Sequence, residues 1–290
     1  MRRPQEIDKD VQTMNSIVQL TGAFEGIASA HIARIKDQVK RSELYFADLW
    51  QVYTKLRVGK EFHLSHISRD TVVKKDLIIV ITAEGSLSGD IDKRVIDTML
   101  ESYAHAKQDI VVIGHHGAAL LRQRSIKVLD SIKLPSQDGT ESSDKGVERV
   151  LAYVQEYQST VVYYQAYVSL MKQEIKSISL SAAIQERGDE ISEKETDTYI
   201  SDKNYIFEPS VADVITHMER SMLGVALNEV MIESKLAQQA SRFRAMSAAR
   251  VKAKESQSDL VRQYNYAGRA LKDERTREII NSLRRGRVTI

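Results

Sequence analysis

The sequence predicts a chain of mixed α and β structure: a long helix at each end, the two pairing as an antiparallel coiled coil, and an α/β domain between them. Three observations predict it. Apolar residues recur at three- and four-residue steps through both ends of the 290-residue chain. In the middle the rhythm changes to compact Ile/Val runs. Pro4, Pro135 and Pro209 are the only prolines, so long helices can pass without a break. The segments read as 1–60, an N-terminal coiled-coil helix; 70–209, the α/β domain; and 210–290, a C-terminal coiled-coil helix.

The N-terminal stripe runs Met14, Val18, Thr21, Phe24, Ala28, His31, Ile35, Val39, Ser42, Phe46, Leu49, Val52, Leu56. A mean step of about 3.5 residues is a coiled-coil seam rather than a broad globular face. The helix from Val11 to Leu56 would be about 65 Å long.

The C-terminal stripe is longer. It includes Val214, Met218, Met222, Val225, Ile232, Leu236, Ala240, Phe243, Met246, Ala249, Ala253, Leu260, Tyr264, Ala267 and Leu271. Ser210 or Asp213 is placed to cap its start. Alanines in the seam let two helices approach closely. If the middle domain sits at one end, the two helices run antiparallel, and the longer one extends past its partner. The stripe alone also fits an ordinary helical bundle or a dimeric coiled coil.

Between the helices, DLIIVITAEG (76–85) and DIVVIGHHGA (109–118) read as strands ending at glycine turns. STVVYYQAYVS (159–169) and IKSISLSA (175–182) are further strands, with Asp202 to Phe207 as a short fifth. Helical stretches lie at Asp90–Lys107 and Val147–Tyr157. Strands alternating with helices predict a largely parallel, Rossmann-like sheet.

That arrangement invites an enzyme reading, which the residues do not support. TAEGSLSGD (82–90) lies where a phosphate loop would, yet it matches neither GxGxxG nor GxxxxGK[ST]. Ser86 and Ser88 lack the G-x-S-x-G elbow of an activated nucleophile. GHHG (114–117) reads as a strand-to-helix turn with solvated imidazoles, and no His/Glu spacing suits a metal. ERGDEISEKETD (186–197) reads as an exposed hairpin or loop. The expectation is no catalytic residue, no cofactor, no metal and no small-molecule substrate.

Composition narrows the classes further. With no cysteine, disulfides and thiolate chemistry are excluded. No apolar run is long enough to cross a bilayer, and MRRPQEIDKD lacks the apolar stretch of a signal peptide. Net charge is +2, yet residues 213–290 carry 15 basic and 9 acidic side chains. The basic helix has no recognised nucleic-acid module, so no nucleic-acid partner is expected.

Local motifs now add a resemblance. LTGAFEGIASAHIAR (20–34) is similar to I-T-K-A-M-K-M-V-A-A-A-K-L-R-R, with Thr21, Ala23, Ala28, Ala30 and Arg34 in register. ITAEGSLSGDID (81–92) is similar to I-T-S-D-R-G-L-C-G-G-L-N at Ile81, Thr82, Leu87 and Gly89. YIFEPS (205–210) resembles Y-x-Y/F-E-P-S. LAQQASRFRAMSAARVKA (236–253) resembles A-S-E-Q-A-A-R-M-x-A-M-x-x-A-x-x-N-A at Gln239, Ala240, Arg242, Ala245, Met246, Ala249 and Ala253. Tyr264-Asn265 and TREII (276–280) follow in order. Together they resemble the gamma subunits of F-type ATP synthases over nearly the whole chain.

There are departures. Gly22 and Glu25 replace family lysines. The spacing from Asn265 to Thr276 is longer by nearly one helical turn, and LRRGRVTI (283–290) puts arginines where the family ends in small apolar residues.

The resemblance implies a central rotor shaft that couples rotation of a c-ring to conformational change at beta-subunit catalytic sites. Its implied partners are the alpha, beta and epsilon subunits and the c-ring. Its implied place is peripheral, on the cytoplasmic face of a bacterial cell membrane. Arg242, Arg244, Arg250, Lys252 and Arg269 are expected on the shaft surface, contacting the alpha/beta ring. The rival reading is a coiled-coil adaptor or scaffold with an α/β docking domain.

Overall fold

The computed structural model describes residues 3–56, 73–85, 87–104, 107–133, 140–182, 184–186, 208 and 210–286. The elements are α1 (Pro4–Leu56), β1 (Val73–Ile81), α2 (Ile91–Glu101), β2 (Gln108–Ile113), α3 (His115–Gln123), β3 (Asp130–Ile132), α4 (Thr140–Glu156), β4 (Tyr157–Tyr167), β5 (Gln173–Ser179) and α5 (Val211–Gly286). The expected strand at 202–207 and all but the first residue of the 186–197 segment lie outside the described residues.

Both terminal helices form as the periodicity requires. α1 has 53 residues and α5 has 76. Pro4 opens α1, where a missing N–H costs nothing. Ser210 caps α5: its Oγ accepts from the Asp213 N–H at 3.1 Å and donates to Asp213 Oδ2 at 2.7 Å. This reciprocal pairing satisfies an end group that the helix leaves orphaned.

The strands form one sheet in the order β3-β2-β1-β4-β5. β1 pairs in parallel with β2 and β4, and β2 with β3. Among the described strands only β5 is antiparallel, as the hairpin partner of β4. β3, three residues long, escaped the sequence reading because so short a strand has no period to detect. α2 stops at Glu101, short of the expected Lys107, where Ala104 N–H bonds the Gln108 side chain and Lys107 N–H bonds Ala104 O. α4 begins at Thr140, before the expected Val147.

The chain divides into two compact units, Met1–Ile27 with Phe243–Ile290, and Ala28–Arg242. In the larger unit the sheet is covered on both faces. Ile78, Val80, Ile110 and Val112 pack with Val95, Ile96 and Met99 of α2 and Leu121 of α3. Leu77, Ile79, Ile81, Val111 and Ile113 pack on the other face with α1, α4 and α5 through Phe46, Trp50, Val150, Val154, Met222 and Leu227. Burial on both faces explains why the central strands read as continuous apolar runs rather than alternating ones.

In the smaller unit, Ile7, Thr21, Met246, Ala253 and Ala267 are buried. Arg250 Nη1 donates to Glu25 Oε2 at 3.0 Å. A Cβ on Gly22 would lie 3.3 Å from the Arg250 guanidinium, so Gly22 leaves the space in which that group lies. The two positions that depart from the family's lysines therefore accommodate one arginine.

The α1 stripe is not quite the expected one. Phe24 and Val52 are exposed, whereas Ile32, Trp50 and Tyr53 are buried. Three residues turn a helix through about 300°. Phe24 therefore lies to one side of Thr21, away from the flank on which Glu25 meets Arg250.

Candidate functional site

The carboxyl ends of β1 and β4 are where a doubly wound sheet would hold a ligand, because α2, which leaves β1, and α4, which enters β4, pack on opposite faces. Here the crevice is filled by the chain's own side chains. Thr82, just past β1, donates its N–H to Ile113 O at 2.8 Å and accepts the Gly117 N–H on Oγ1 at 3.0 Å. Gly114 has φ of +108°, and a Cβ there would fall 2.2 Å from the Thr82 carbonyl oxygen. A Cβ on Gly117 would fall 2.5 Å from Thr82 Oγ1. The glycines of GHHG thus serve close packing of one turn on another.

Asp92, in the first turn of α2, is the hub. Its side chain is 1% exposed. Oδ1 accepts from Ala83 N–H at 3.2 Å and from Gln165 Nε2 at 2.9 Å. Oδ2 and His116 Nδ1 are hydrogen-bonded at 2.7 Å. Burial pushes the Asp92 carboxyl above the usual carboxylate range, with His116, Ala83 and Arg242 opposing the rise. A carboxylate at a helix N-terminus also complements the helix dipole in the place a bound phosphate would take. The expectation of solvated imidazoles fails for His116: its ring is 37% exposed and held by Asp92. The two residues are 24 apart in sequence, and only the sheet brings them together.

Gln165 of β4 extends the network to α5. Its Oε1 accepts from Ser234 Oγ and from Gln238 Nε2 at 3.4 Å, and Gln238 Nε2 also bonds Ser234 Oγ at 3.1 Å. Further along α5, Ser241 Oγ donates to Ser88 O at 2.7 Å. All five side chains are buried. Sequence reasoning missed Asp92, Gln165, Ser234, Gln238 and Ser241. The one available signal was three polar residues at helical spacing within an otherwise apolar stripe.

Of the five cations expected on the shaft, Arg242 lies at this junction. One of its guanidinium nitrogens is 3.6 Å from where a Gly85 Cβ would be. Burial lowers its pKa, and Asp92 opposes the fall. Arg250 is the partner of Glu25. Arg244 is half-buried, and Lys252 and Arg269 are exposed. The structure does not gather these five into one cluster.

Among the described residues no group of three His, Asp or Glu side chains is disposed to hold a metal, and no helix is long and apolar enough to cross a membrane. A doubly wound sheet closed by the chain's own C-terminal helix, with a long helix at each end of the sequence, is the architecture of a stalk-type subunit. The family model described as ATP synthase matches residues 3–281, and the chain belongs to the gamma-subunit family of ATP synthases.

Its relatives agree. It is 26% identical over 281 residues to an ATP synthase gamma chain of Chlorobaculum tepidum, covering 92% of this chain and 93% of that one. It is 24% identical over 283 residues to that of Trichlorobacter lovleyi, covering 95% and 96%. Among solved structures, its fold resembles a chain of the Euglena gracilis mitochondrial ATP synthase, with a TM-score of 0.59, 13% identity and coverage of 95% and 94%. It also resembles a chain in the central stalk and c-ring structure of the Tetrahymena thermophila enzyme, with a TM-score of 0.58, 15% identity and coverage of 79% and 99%.

Proposed function

We propose that this chain is the central rotor shaft of a proton-translocating F-type ATP synthase. It couples rotation of a c-ring to conformational change at catalytic sites on beta subunits, and it carries no catalytic site of its own. Its partners are the alpha, beta and epsilon subunits and the c-ring. It sits peripherally on the cytoplasmic face of a bacterial membrane, held there by the ring. The observation that carries the reading is the extent of the family match, which runs through both terminal helices as well as the α/β domain.

The charge distribution supports it. A basic C-terminal third gives a shaft that makes screened contacts with acidic surroundings and breaks them at small cost. Arg242, Arg244, Arg250, Lys252 and Arg269 are the cations proposed to meet the alpha/beta ring. Lys252 and Arg269 are the exposed ones.

Affinity purification of the tagged chain from its own cells tests the proposal. Alpha, beta and epsilon should travel with it, and the purified chain alone should turn over no ATP. A chain truncated from Leu271 onward should still assemble while coupling poorly. ATPase activity in the isolated chain, or recovery without those subunits, would favour an adaptor or an enzyme instead.

A further inference from the structure

The stripe of α5 that faces the α/β domain changes character along its length. Met218, Met222, Ala226 and Val230 are apolar and belong to the large core. Ser234, Gln238 and Ser241 continue at the same three- and four-residue steps. They are equally buried, yet each is hydrogen-bonded to the α/β domain.

Burial of apolar surface is non-directional. It resists separation of a helix from a sheet far better than rolling of the helix about its own axis. Hydrogen bonds weaken steeply off-axis, and a buried donor or acceptor that loses its partner bears the full desolvation penalty. A polar set inside a dry contact therefore fixes the helix azimuth. Here the set is anchored at both ends: on the domain by Asp92, through Ala83 N–H and His116, and on the helix by three residues spread over two turns.

We propose that Asp92, Gln165, Ser234, Gln238 and Ser241 form a polar clamp that locks α5 rotationally on the α/β domain and carries torque between them. These are positioning residues, and the inference rests on the rotor reading.

The test uses the assembled synthase in inverted membrane vesicles. ATP hydrolysis and ATP-driven proton pumping are measured on the same vesicles, and their ratio is independent of how much complex assembles. The double variant Ser234→Ala/Ser241→Ala should keep hydrolysis and lose pumping per ATP several-fold. Ser241→Ala alone should lose part of it, which covers failure of the double variant to assemble, and Ser241→Thr should regain it. Val230→Ala, which thins the apolar stripe, should lower the melting temperature and leave the ratio unchanged.

A wild-type ratio in the assembled serine variants, or an equal loss in Val230→Ala, would overturn the clamp. Failure of the rotor reading looks different: the wild-type chain would then support no pumping at all.

Discussion

Arg250 reaches Glu25 across 225 positions of sequence, at 3.0 Å, over a glycine that leaves the space for its guanidinium. The side chains are 41% and 20% exposed, so the pair is partly solvated. Removing either partner should lower stability by about 0.5–1 kcal/mol, less at high salt. A double-mutant cycle with Glu25→Ala and Arg250→Ala, read by denaturant unfolding, checks it. Gly26, one position on from Glu25, meets nothing within 4 Å of an added Cβ. Gly26→Ala should therefore stabilise α1 by roughly 0.5–1 kcal/mol, through helix propensity alone.

Asp92 carries a definite pH sign. Its folded carboxyl is raised by burial. Its contribution to stability is therefore full below the ordinary carboxylate range and is lost as pH rises through the folded value. Asp92→Asn removes the buried charge while keeping an oxygen for Ala83 and Gln165. Its thermal midpoint should exceed that of the wild type at neutral pH, and the gain should disappear in acid. Asp92→Ala should instead destabilise at every pH by about 1–3 kcal/mol, because two buried donors lose their acceptor. Melting curves of the three proteins across pH decide it.

Gly114 is the position least open to change. Its φ of +108° is strained for any side chain, and the obstacle to a Cβ is the backbone carbonyl of Thr82. Gly114→Ala should cost at least about 2 kcal/mol. By contrast, Gly224→Ala should be neutral to stabilising by up to about 1 kcal/mol, since helix propensity favours alanine and its nearest contact is a Leu151 methyl at 3.4 Å. Comparing urea midpoints of the two variants tests the backbone argument.

At the amino ends of the central strands, Tyr157 donates to Asp109 Oδ2 at 2.9 Å, and Lys75 Nζ pairs with Asp109 Oδ1 at 2.9 Å. Burial, then the Asp109 hydrogen bond and charge, push the tyrosine up to about 12. The stabilisation from this phenol is present below its ordinary value and is lost as pH rises from there through about 12. Tyr157→Phe should cost about 1 kcal/mol at neutral pH and flatten the alkaline limb of the stability curve. Denaturant unfolding at several alkaline pH values measures both.

How far the sequence alone reached depends on the range of the signal. The two terminal helices, the parallel strands β1, β2 and β4, and the cap at Ser210 were legible because each is written in local period or local chemistry. The motifs at 20–34, 81–92 and 236–253 were legible for the same reason, and they carried the family resemblance.

What only the tertiary structure decided is which residues meet across long separations. Seam register drifts with small departures from 3.5 residues per step, so Phe24 and Val52 turned outward while Trp50 and Tyr53 turned in. Asp92, Gln165 and Ser234 have no common sequence signature. Their hydrogen bonds exist because the sheet order brings β4 beside β1, and α5 then crosses the open end. Periodicity specifies the face a residue occupies, whereas a buried polar contact is specified by the partner, and the partner is chosen by the fold.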